Sequence, residues 1–354
     1  MVSVLLKNKR KILGLKIQEI SAISGIDQAL LSKYESGKRN SSDNHLLALS
    51  DAYQIPYLEI KKEYLIDKIV ELVKYEENIG ELFLVAETRV EYLISKNVFE
   101  MPEIDEEIKS KLKRIDSLKK KWQENRPLNK TQLAKMKEYF NLKYTFDSNR
   151  IEGNTLSLKE THLVVNEGVT ISGKSMREHL EAINHSEAID FLDNLVSEKE
   201  PINKRSLLDL HRLVLKSVDS ENAGKYRNLH VRIGGSEYLP PQPFLLEKLM
   251  EDYFFNYNRQ RKILHPILLA AEMHERLVSI HPFLDGNGRT SRLIMNFILL
   301  QNGFTLAILK GDSTSRVQYF DALQEVQLNN NPIPFYNLVI DRCTESLQEH
   351  LSMV

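Results

Sequence analysis

The segment at residues 281–292, which reads HPFLDGNGRTSR, constrains the fold most, because it puts a glycine-rich loop between two helix-forming stretches. Apolar residues at helical spacing predict one helix over residues 267–280 and a second helix that ends at Gly303. Gly286 and Gly288 let backbone N–H groups approach an anion at the start of the second helix, where the helix dipole also favours negative charge. The segment therefore predicts an anion-binding loop in a helical protein.

The side chains of this segment supply the groups that a transfer reaction on a polyphosphate needs. His281 titrates near neutral pH and can accept the proton of a hydroxyl group. Asp285 is a hard oxygen ligand of the kind that holds Mg²⁺ on a polyphosphate. Arg289 and Arg292 are three residues apart, so they share one helix face and can hold successive phosphates. The sequence thus predicts a base, a metal ligand and an arginine pair around the anion-binding loop.

The segment matches every fixed position of the Fic-family signature, His-Pro-Phe-x-(Asp/Glu)-Gly-Asn-Gly-Arg-x-x-Arg. The resemblance covers residues 127–354 and implies an all-α helical bundle that transfers AMP from ATP to a Ser, Thr or Tyr hydroxyl of a target protein, or of the chain itself. It implies that His281 is the catalytic base, that Asp285 holds Mg²⁺ and that Asn287 orients the α-phosphate. It also implies a set of nucleotide-binding residues: Gly286, Asn287, Gly288, Arg289, Arg292 and Tyr319. A place in the apolar core is the alternative for Tyr319.

Two alternatives to AMP transfer stay open on the sequence. A DNA-binding transcription regulator could use such a domain only to sense a nucleotide. Fic proteins also transfer UMP, phosphate or phosphocholine, so the donor could differ from ATP. The complete signature and the inhibitory motif upstream favour AMP.

The motif upstream of the signature lies at residues 148–153, which read SNRIEG. Gly153 favours the end of a helix, so the carboxylate of Glu152 is predicted to be presented there. The motif fits the family's inhibitory pattern, Ser/Thr-x-x-x-Glu-Gly/Asn, and the resemblance implies that Ser148 and Glu152 inhibit the enzyme. In this interpretation Glu152 pairs with Arg292, the arginine that would otherwise hold the γ-phosphate.

Residues 229–238 alternate as a strand does around a Gly-Gly-Ser centre and predict a β-hairpin. The preceding residues 224–227, GKYR, resemble the family segment that leads into a target-binding flap. An exposed hairpin edge could hydrogen-bond an extended target segment and align its hydroxyl. A plain structural turn is the alternative. The residues assigned to the flap are Val231, Arg232, Ile233 and Gly234.

Residues 168–175, GVTISGKS, match the P-loop pattern letter for letter. A P-loop also needs a parallel sheet around it and a Walker B segment, and the sequence indicates neither. Residues 157–167 read instead as a helix whose capping box is Ser157 and Glu160. A P-loop nucleotidase is therefore disfavoured.

The N-terminal residues carry a local positive charge although the whole chain has a formal net charge of −1. Residues 1–40 contain eight Lys or Arg against three Asp or Glu. Residues 17–23 and 27–36 predict two short helices on either side of a turn at Gly25. A charge excess of this kind indicates a nucleic-acid partner for this part of the chain.

The same region resembles the Cro/repressor-type helix-turn-helix family over residues 5–60, most clearly in the string LSKYESGKR at residues 31–39. The resemblance implies binding of duplex DNA through residues 1–65. A protein-interaction module that no longer binds DNA is the alternative. The residues expected to contact phosphates or base edges are Gln18, Gln28, Ala29, Ser32, Lys38 and Arg39.

Cys343 is the only cysteine, which excludes an internal disulfide and a cysteine-rich zinc site and indicates a reducing cytoplasm. No signal region and no apolar run of membrane-spanning length is present, so no membrane partner is expected. A homo-oligomer stays open. The expected fold class is all-α with a small β-hairpin flap. The expected domains are a helix-turn-helix domain at residues 1–65, a helical connector at 66–101, the N-terminal helical part of the Fic module at 102–200 with its inhibitory helix near 145–153, and the catalytic core at 201–354.

Overall fold

The computed structural model describes residues 1–80, 82–83, 104–125 and 129–354. The chain divides into two compact units, Met1–Glu100 and Met101–Val354, and each unit is described by itself. All regular secondary structure among the described residues is helical, and none of these residues lies in a β-strand. The expected all-α class is confirmed. No helix in the described parts of the chain is long and apolar enough to cross a membrane.

In the described residues of the first unit, helices surround a small apolar core that includes Leu6, Ile20 and Leu31. The helix-turn-helix pair forms as the sequence predicts, because Gly25 ends the first helix in a left-handed conformation and the Asp27 carboxylate caps the second. The helices are α1 (Val2–Ile12), α2 (Ile17–Ser24), α3 (Gln28–Glu35), α4 (Leu46–Tyr53) and α5 (Tyr57–Val73).

Helix α5 begins at Tyr57 and ends at Val73, so it passes through the expected domain boundary at residue 65. Its residues Ile60 and Tyr64 are buried in the core of the first unit. After this helix, residues 74–78 form turns in which Asn78 has a positive φ, and residues 79–80 and 82–83 are helical again. The rest of the expected connector, at residues 84–101, lies outside the described residues.

The second unit is a helical bundle with α12 and α13 at its centre. Helix α13 is buried on nearly all sides, as expected for a helix that is surrounded by others. The α-helices that the structure describes in this unit are α6 (Glu106–Glu124), α7 (Lys130–Ile151), α8 (Leu158–Glu167), α9 (Met176–Glu198), α10 (Lys204–Leu215), α11 (Leu246–Gln260), α12 (Pro266–Ile280), α13 (Asn287–Gln301), α14 (Ser313–Asn329) and α15 (Ile333–Ser352).

The segment expected to form a β-hairpin is instead a loop without strand pairing. Its centre is a turn in which the Ser236 N–H donates to the Ile233 carbonyl at 3.2 Å, with Gly235 in the left-handed region. Pro240 and Pro241 close the segment and have no N–H group to donate to a ladder. The alternation of side chains was therefore a poor guide to backbone pairing here.

The segment that resembles a P-loop is a turn between α8 and α9. Gly168 ends α8 in a left-handed conformation, and Ser175 begins α9 with a capping box completed by Glu178. No parallel sheet surrounds it among the described residues, so the geometry of a P-loop is absent.

Candidate active site

His281 lies at the C-terminal end of α12 in the left-handed conformation, with a φ of 51°. Its Nδ1 donates to the Val278 carbonyl at 3.2 Å, which places the proton on Nδ1 and leaves Nε2 as the atom that can accept one. Burial lowers the pKa of His281 below the ordinary value, so the ring is neutral at pH 7. The ring is therefore in the form that a general base requires.

The loop after His281 is held by its own side chains. Asn287 donates from Nδ2 to the Phe283 carbonyl at 2.9 Å and accepts the Phe283 N–H on Oδ1 at 3.0 Å. Both ends of the Asn287 amide thus bind the loop backbone, and its expected role toward the α-phosphate stays a prediction. Asn287 fixes the loop that presents its backbone N–H groups.

His211 on α10 supports the same loop from behind. Its Nδ1 accepts the Gly224 N–H at 2.9 Å, its Nε2 donates to the Asp285 carbonyl at 2.9 Å, and its ring stacks on Phe283 with centroids 3.6 Å apart. Burial lowers the pKa of His211 to about 4, so the ring stays neutral and keeps this single pattern of hydrogen bonds. The sequence showed only a histidine on the apolar face of a helix.

The carboxylate of Asp285 has three partners. Oδ1 accepts the Gly286 N–H at 2.6 Å and lies 3.3 Å from Arg289 Nη2, while Oδ2 accepts from Arg177 Nη2 at 2.8 Å. Burial disfavours the charge of this carboxylate, but Arg289, the Gly286 N–H and Arg177 together hold the pKa of Asp285 below its ordinary value. Asp285 is thus an ionised carboxylate at pH 7.

A magnesium ion fits this site only as a partner shared with a substrate. No group of three or more His, Cys, Asp or Glu in the described part of the chain could hold a metal ion alone. Mg²⁺ is commonly bound by one or two carboxylates together with substrate phosphates and water. Asp285, beside an anion-binding loop, matches that arrangement.

Arg289 and Arg292 are almost fully buried at the start of α13. Arg292 donates from Nε to Ser148 Oγ and from Nη2 to the Ser148 carbonyl, both at 2.9 Å. Arg289 Nη1 forms a longer ion pair with Glu181 Oε1 at 3.6 Å. Hydrogen-bond partners are nevertheless absent, among the described residues, for Arg289 Nε and Nη1 and for Arg292 Nη1. Buried guanidinium donors without a partner are costly, which favours an anionic ligand that would accept from them.

Glu152 occupies the space in which such an anion would lie. Its Oε1 accepts from Arg292 Nη2 at 2.7 Å. The same oxygen is so close to Gly288 that any side chain at that position would overlap it. Ser148, the other residue of the inhibitory motif, is fully buried one helical turn earlier on α7. The carboxylate of Glu152 is therefore seated on the N-terminus of α13, where a phosphate would be stabilised.

A cavity of about 370 Å³ opens beside His281. The loop contributes Ile233 and Gly234 to its wall, whereas the other two expected flap residues, Val231 and Arg232, do not line it. Tyr319 lies on the α14 side of the cavity, yet it is also buried, with its hydroxyl 3.3 Å from His274 Nε2. Both interpretations of Tyr319, as a core residue and as a residue beside the nucleotide site, are compatible with this position.

Arg227 connects the loop to the site. Its Nε donates to the His281 carbonyl at 2.8 Å. Its Nη1 and Nη2 donate to the carbonyls of Leu229 at 2.8 Å and Pro241 at 2.6 Å. A single buried guanidinium thus ties both ends of the loop to His281, the residue directly after α12. The sequence flagged the GKYR segment but gave no indication of these contacts.

In the first unit, α3 separates buried from exposed residues as expected. Leu31 and Tyr34 are buried in the core. Glu35, also buried, forms a bidentate ion pair with Arg10 at 2.6 and 2.7 Å and accepts from the Tyr53 hydroxyl. All six residues expected to contact DNA are exposed: Gln18, Gln28, Ala29, Ser32, Lys38 and Arg39.

Comparison with known families identifies both regions. Residues 201–299 match the Fic/DOC family, and residues 6–60 match the helix-turn-helix family. The chain is 38% identical over 204 residues to the protein adenylyltransferase Fic of Nematostella vectensis, covering 57% of the chain and 46% of that protein. It is 37% identical over 215 residues to the protein of the same name from Drosophila grimshawi, covering 60% and 42%. The chain therefore spans less than half the length of these relatives.

Solved structures show the same fold. Fic-1 (residues 134–508) from C. elegans is 27% identical and superposes with a TM-score of 0.63 over 97% of the chain and 98% of that structure. A Fic-domain-containing signalling protein from Bacteroides thetaiotaomicron is 26% identical, with a TM-score of 0.62 over 69% of the chain and 96% of that structure.

Proposed function

We propose that this chain, which carries a Fic domain and a helix-turn-helix domain, is a protein adenylyltransferase that moves AMP from ATP to a Ser, Thr or Tyr hydroxyl. The observation that carries the proposal is the convergence of a neutral His281, an ionised Asp285 and two buried arginines with unpartnered donors at one anion-binding loop. The relatives named protein adenylyltransferase support the same reaction. The hydroxyl could belong to another protein or to the chain itself.

In the proposed reaction, the ATP phosphates lie over the N-terminus of α13, where Glu152 now lies. His281 Nε2 takes the proton of the target hydroxyl as its oxygen bonds to the α-phosphorus. The bond to the β-phosphate oxygen breaks, and pyrophosphate leaves. Arg289 and Arg292 stabilise the charge on the phosphates, and the loop N–H groups stabilise the charge that develops at the α-phosphate. A magnesium ion on Asp285 would neutralise further phosphate charge.

We infer that Glu152 inhibits this reaction by occupying the phosphate position. As long as its carboxylate holds Arg292, that arginine is not available to the γ-phosphate. A nucleotide bound beside it would be displaced, and small displacements of reacting atoms cost about a hundredfold in rate. Inhibition of this kind acts within one chain.

Incubation of the purified chain with ATP labelled at the α-phosphate tests the proposal. An adenylyltransferase retains the label on protein after denaturation, whereas a protein that only senses nucleotide releases it. Label at the γ-phosphate should not be retained, which separates AMP transfer from phosphate transfer. Matched reactions with UTP labelled at the α-phosphate test the alternative nucleotide donor.

We also propose that the first unit binds duplex DNA. Lys38 and Arg39 are exposed and lie shortly after the end of α3, where they could contact phosphates. Gln28 and Ser32 are exposed polar residues on α3 and could contact base edges. The two activities are compatible, since a DNA-binding unit could control expression of the chain itself. A cytoplasmic location fits both, because the only cysteine, Cys343, is buried and free.

A further inference from the structure

We propose that Arg177 is a positioning residue that competes with the metal ion for Asp285 and so sets how strongly metal and nucleotide bind together. This inference rests on the proposed function, since it concerns the metal that the nucleotide would bring. Arg177 belongs to the first turn of α9, directly after the segment that resembles a P-loop. Nothing in the Fic signature or in the inhibitory motif points to it.

The two oxygens of Asp285 differ in what they contact. Oδ1 is held by the Gly286 N–H at 2.6 Å and by Arg289 at 3.3 Å. Oδ2 accepts from Arg177 Nη2 at 2.8 Å. The orientation of the carboxylate is thus secured through Oδ1 without Arg177. Oδ2 is the oxygen that remains for a metal ion, and a cation already lies on it.

Arg177 is held in place by its own helix. Its Nε donates to Glu181 Oε1 at 3.0 Å, one turn further along α9. Glu181 is nearly buried and also accepts from Asn154 Nδ2 at 3.3 Å. The guanidinium therefore bridges two carboxylates, so it can leave Asp285 and keep Glu181 as its partner.

The start of α9 is itself fixed against the chain that follows Glu152. Lys174 Nζ donates to the Thr155 carbonyl at 2.6 Å, and Glu178 Oε1 accepts the Thr155 N–H at 2.8 Å. Hydrogen bonds from Thr155 and Ser175 lower the pKa of Glu178 to about 2, so its negative charge is present at any physiological pH. The Gly-Lys-Ser turn thus helps to fix the start of α9, on which Arg177 lies.

A metal ion that binds Oδ2 must displace the guanidinium or tolerate its positive charge. The Arg177 side chain is 58% exposed, so this ion pair is weak enough for a divalent cation to break. Removing the positive charge should therefore strengthen the coupling between metal and nucleotide. From the strength of partly exposed ion pairs we expect a change of about two- to fivefold.

The test measures nucleotide affinity with and without metal in the full chain carrying Glu152→Gly, in which the phosphate position is free. The Kd of a non-hydrolysable ATP analogue is determined in EDTA and in saturating Mg²⁺. The Kd in EDTA divided by the Kd in Mg²⁺ measures the coupling between metal and nucleotide. Arg177→Gln should raise this ratio about two- to fivefold, and Arg177→Lys, which keeps the charge, should leave it near the parent value. Arg205→Gln, which removes an arginine paired with Asp209 on α10, is the matched control and should leave it unchanged.

A damaged fold would weaken binding in both conditions and could not raise the ratio. An unchanged or lower ratio in Arg177→Gln overturns the inference, provided that the parent shows coupling that Asp285→Asn abolishes. A parent that binds no analogue, or binds it without any effect of Mg²⁺, contradicts the proposed function and the inference with it.

Discussion

Glu152 Oε1 lies 2.7 Å from Arg292 Nη2 and directly over Gly288, although 140 positions separate the two charged residues in the sequence. A carboxylate at the N-terminus of a helix is in a stabilising position. In the proposed reaction the same position is that of a nucleotide phosphate. On that proposal, the chain carries its own anion where the anion of the substrate would bind.

Replacing Glu152 should activate the chain. Glu152→Gly frees Arg292 and the space over Gly288, and we expect transfer of labelled AMP to rise about a hundredfold. Glu152→Gln should activate less, because the amide keeps the bulk and some hydrogen bonding. The measurement is covalent label per chain in ATP and Mg²⁺. Equal labelling of wild type and Glu152→Gly would contradict an inhibitory role.

The activated chain should still depend on Arg292. Arg292→Ala in the Glu152→Gly background removes the buried donors that would hold the phosphates, so labelling should fall to background. Arg276→Ala serves as a matched control, since this arginine lies on α12 and pairs with Glu272. Full labelling by the Arg292 variant would show that another group holds the phosphates.

His281→Ala should abolish transfer while nucleotide binding survives. The side chain serves the proton step, and a well-placed general base contributes about a hundred- to ten-thousandfold in rate. Analogue binding by calorimetry and labelling by ATP, both in the Glu152→Gly background, separate the two effects. Labelling close to that of the parent would remove His281 from the mechanism.

The transfer rate should report the lowered pKa of His281. Because burial favours the neutral ring, the base form persists at a lower pH than that of an ordinary histidine, whose pKa is 6.5. The rate in the Glu152→Gly background should be constant near pH 7 and fall on acidification, with a midpoint below pH 6.5. A midpoint above that value would mean that another group limits the rate.

The second unit should lose stability in mild acid. The pKa of His211 is about 4 in the folded chain, so between its ordinary value and pH 4 the unfolded state binds a proton that the folded state does not. The contribution of His211 to the free energy of unfolding is complete above the ordinary pKa of histidine and is lost as the pH falls to about 4. The loss is up to about 3 kcal/mol. His185 and His274, whose pKa values burial also lowers, act in the same direction. Urea unfolding at pH 7 and pH 5 measures the change, and equal stabilities would contradict it.

Binding of duplex DNA should depend strongly on salt. If several phosphates are neutralised, affinity should fall by orders of magnitude between about 50 and 200 mM salt. Replacing Lys38 and Arg39 with Gln in the full chain should weaken binding and flatten this dependence, whereas Lys120→Gln on α6 should not. Failure to enrich any sequence in an unbiased selection would favour the protein-interaction alternative.

The sequence was most informative about features that depend on residues close together along the chain, such as helix ends and caps. The helix ends around His281 and the caps at Asp27 and Ser157 follow from local rules, and the structure has them where those rules place them. The proximity of Glu152 to Arg292 was expected only through the family resemblance, because no local rule joins positions so far apart.

The remaining contacts depend on tertiary structure that spacing does not encode. His211 on α10 and Arg177 on α9 both bind Asp285. The sequences of these two helices contain no motif that would predict either contact. The loop at residues 229–241 was misread because alternation predicts a strand only where a neighbouring strand is available to pair with it. The hydrogen bonds of Asn287 to Phe283 were missed because the signature gives its identity but not the direction of its amide.

One guanidinium closes the loop at residues 229–241, since Arg227 holds the carbonyl groups near both of its ends together with that of His281. Between those ends, the Tyr238 hydroxyl also donates to the Ser279 carbonyl on α12 at 3.1 Å. Residues on either side of Tyr238 can therefore be exchanged, with new lengths and side chains, while Arg227 and Tyr238 keep the loop closed and the histidine keeps its place. If the proposed function holds, the choice of target can in this way change independently of the transfer chemistry, which makes the loop the natural place to engineer a new recipient for the transferred group.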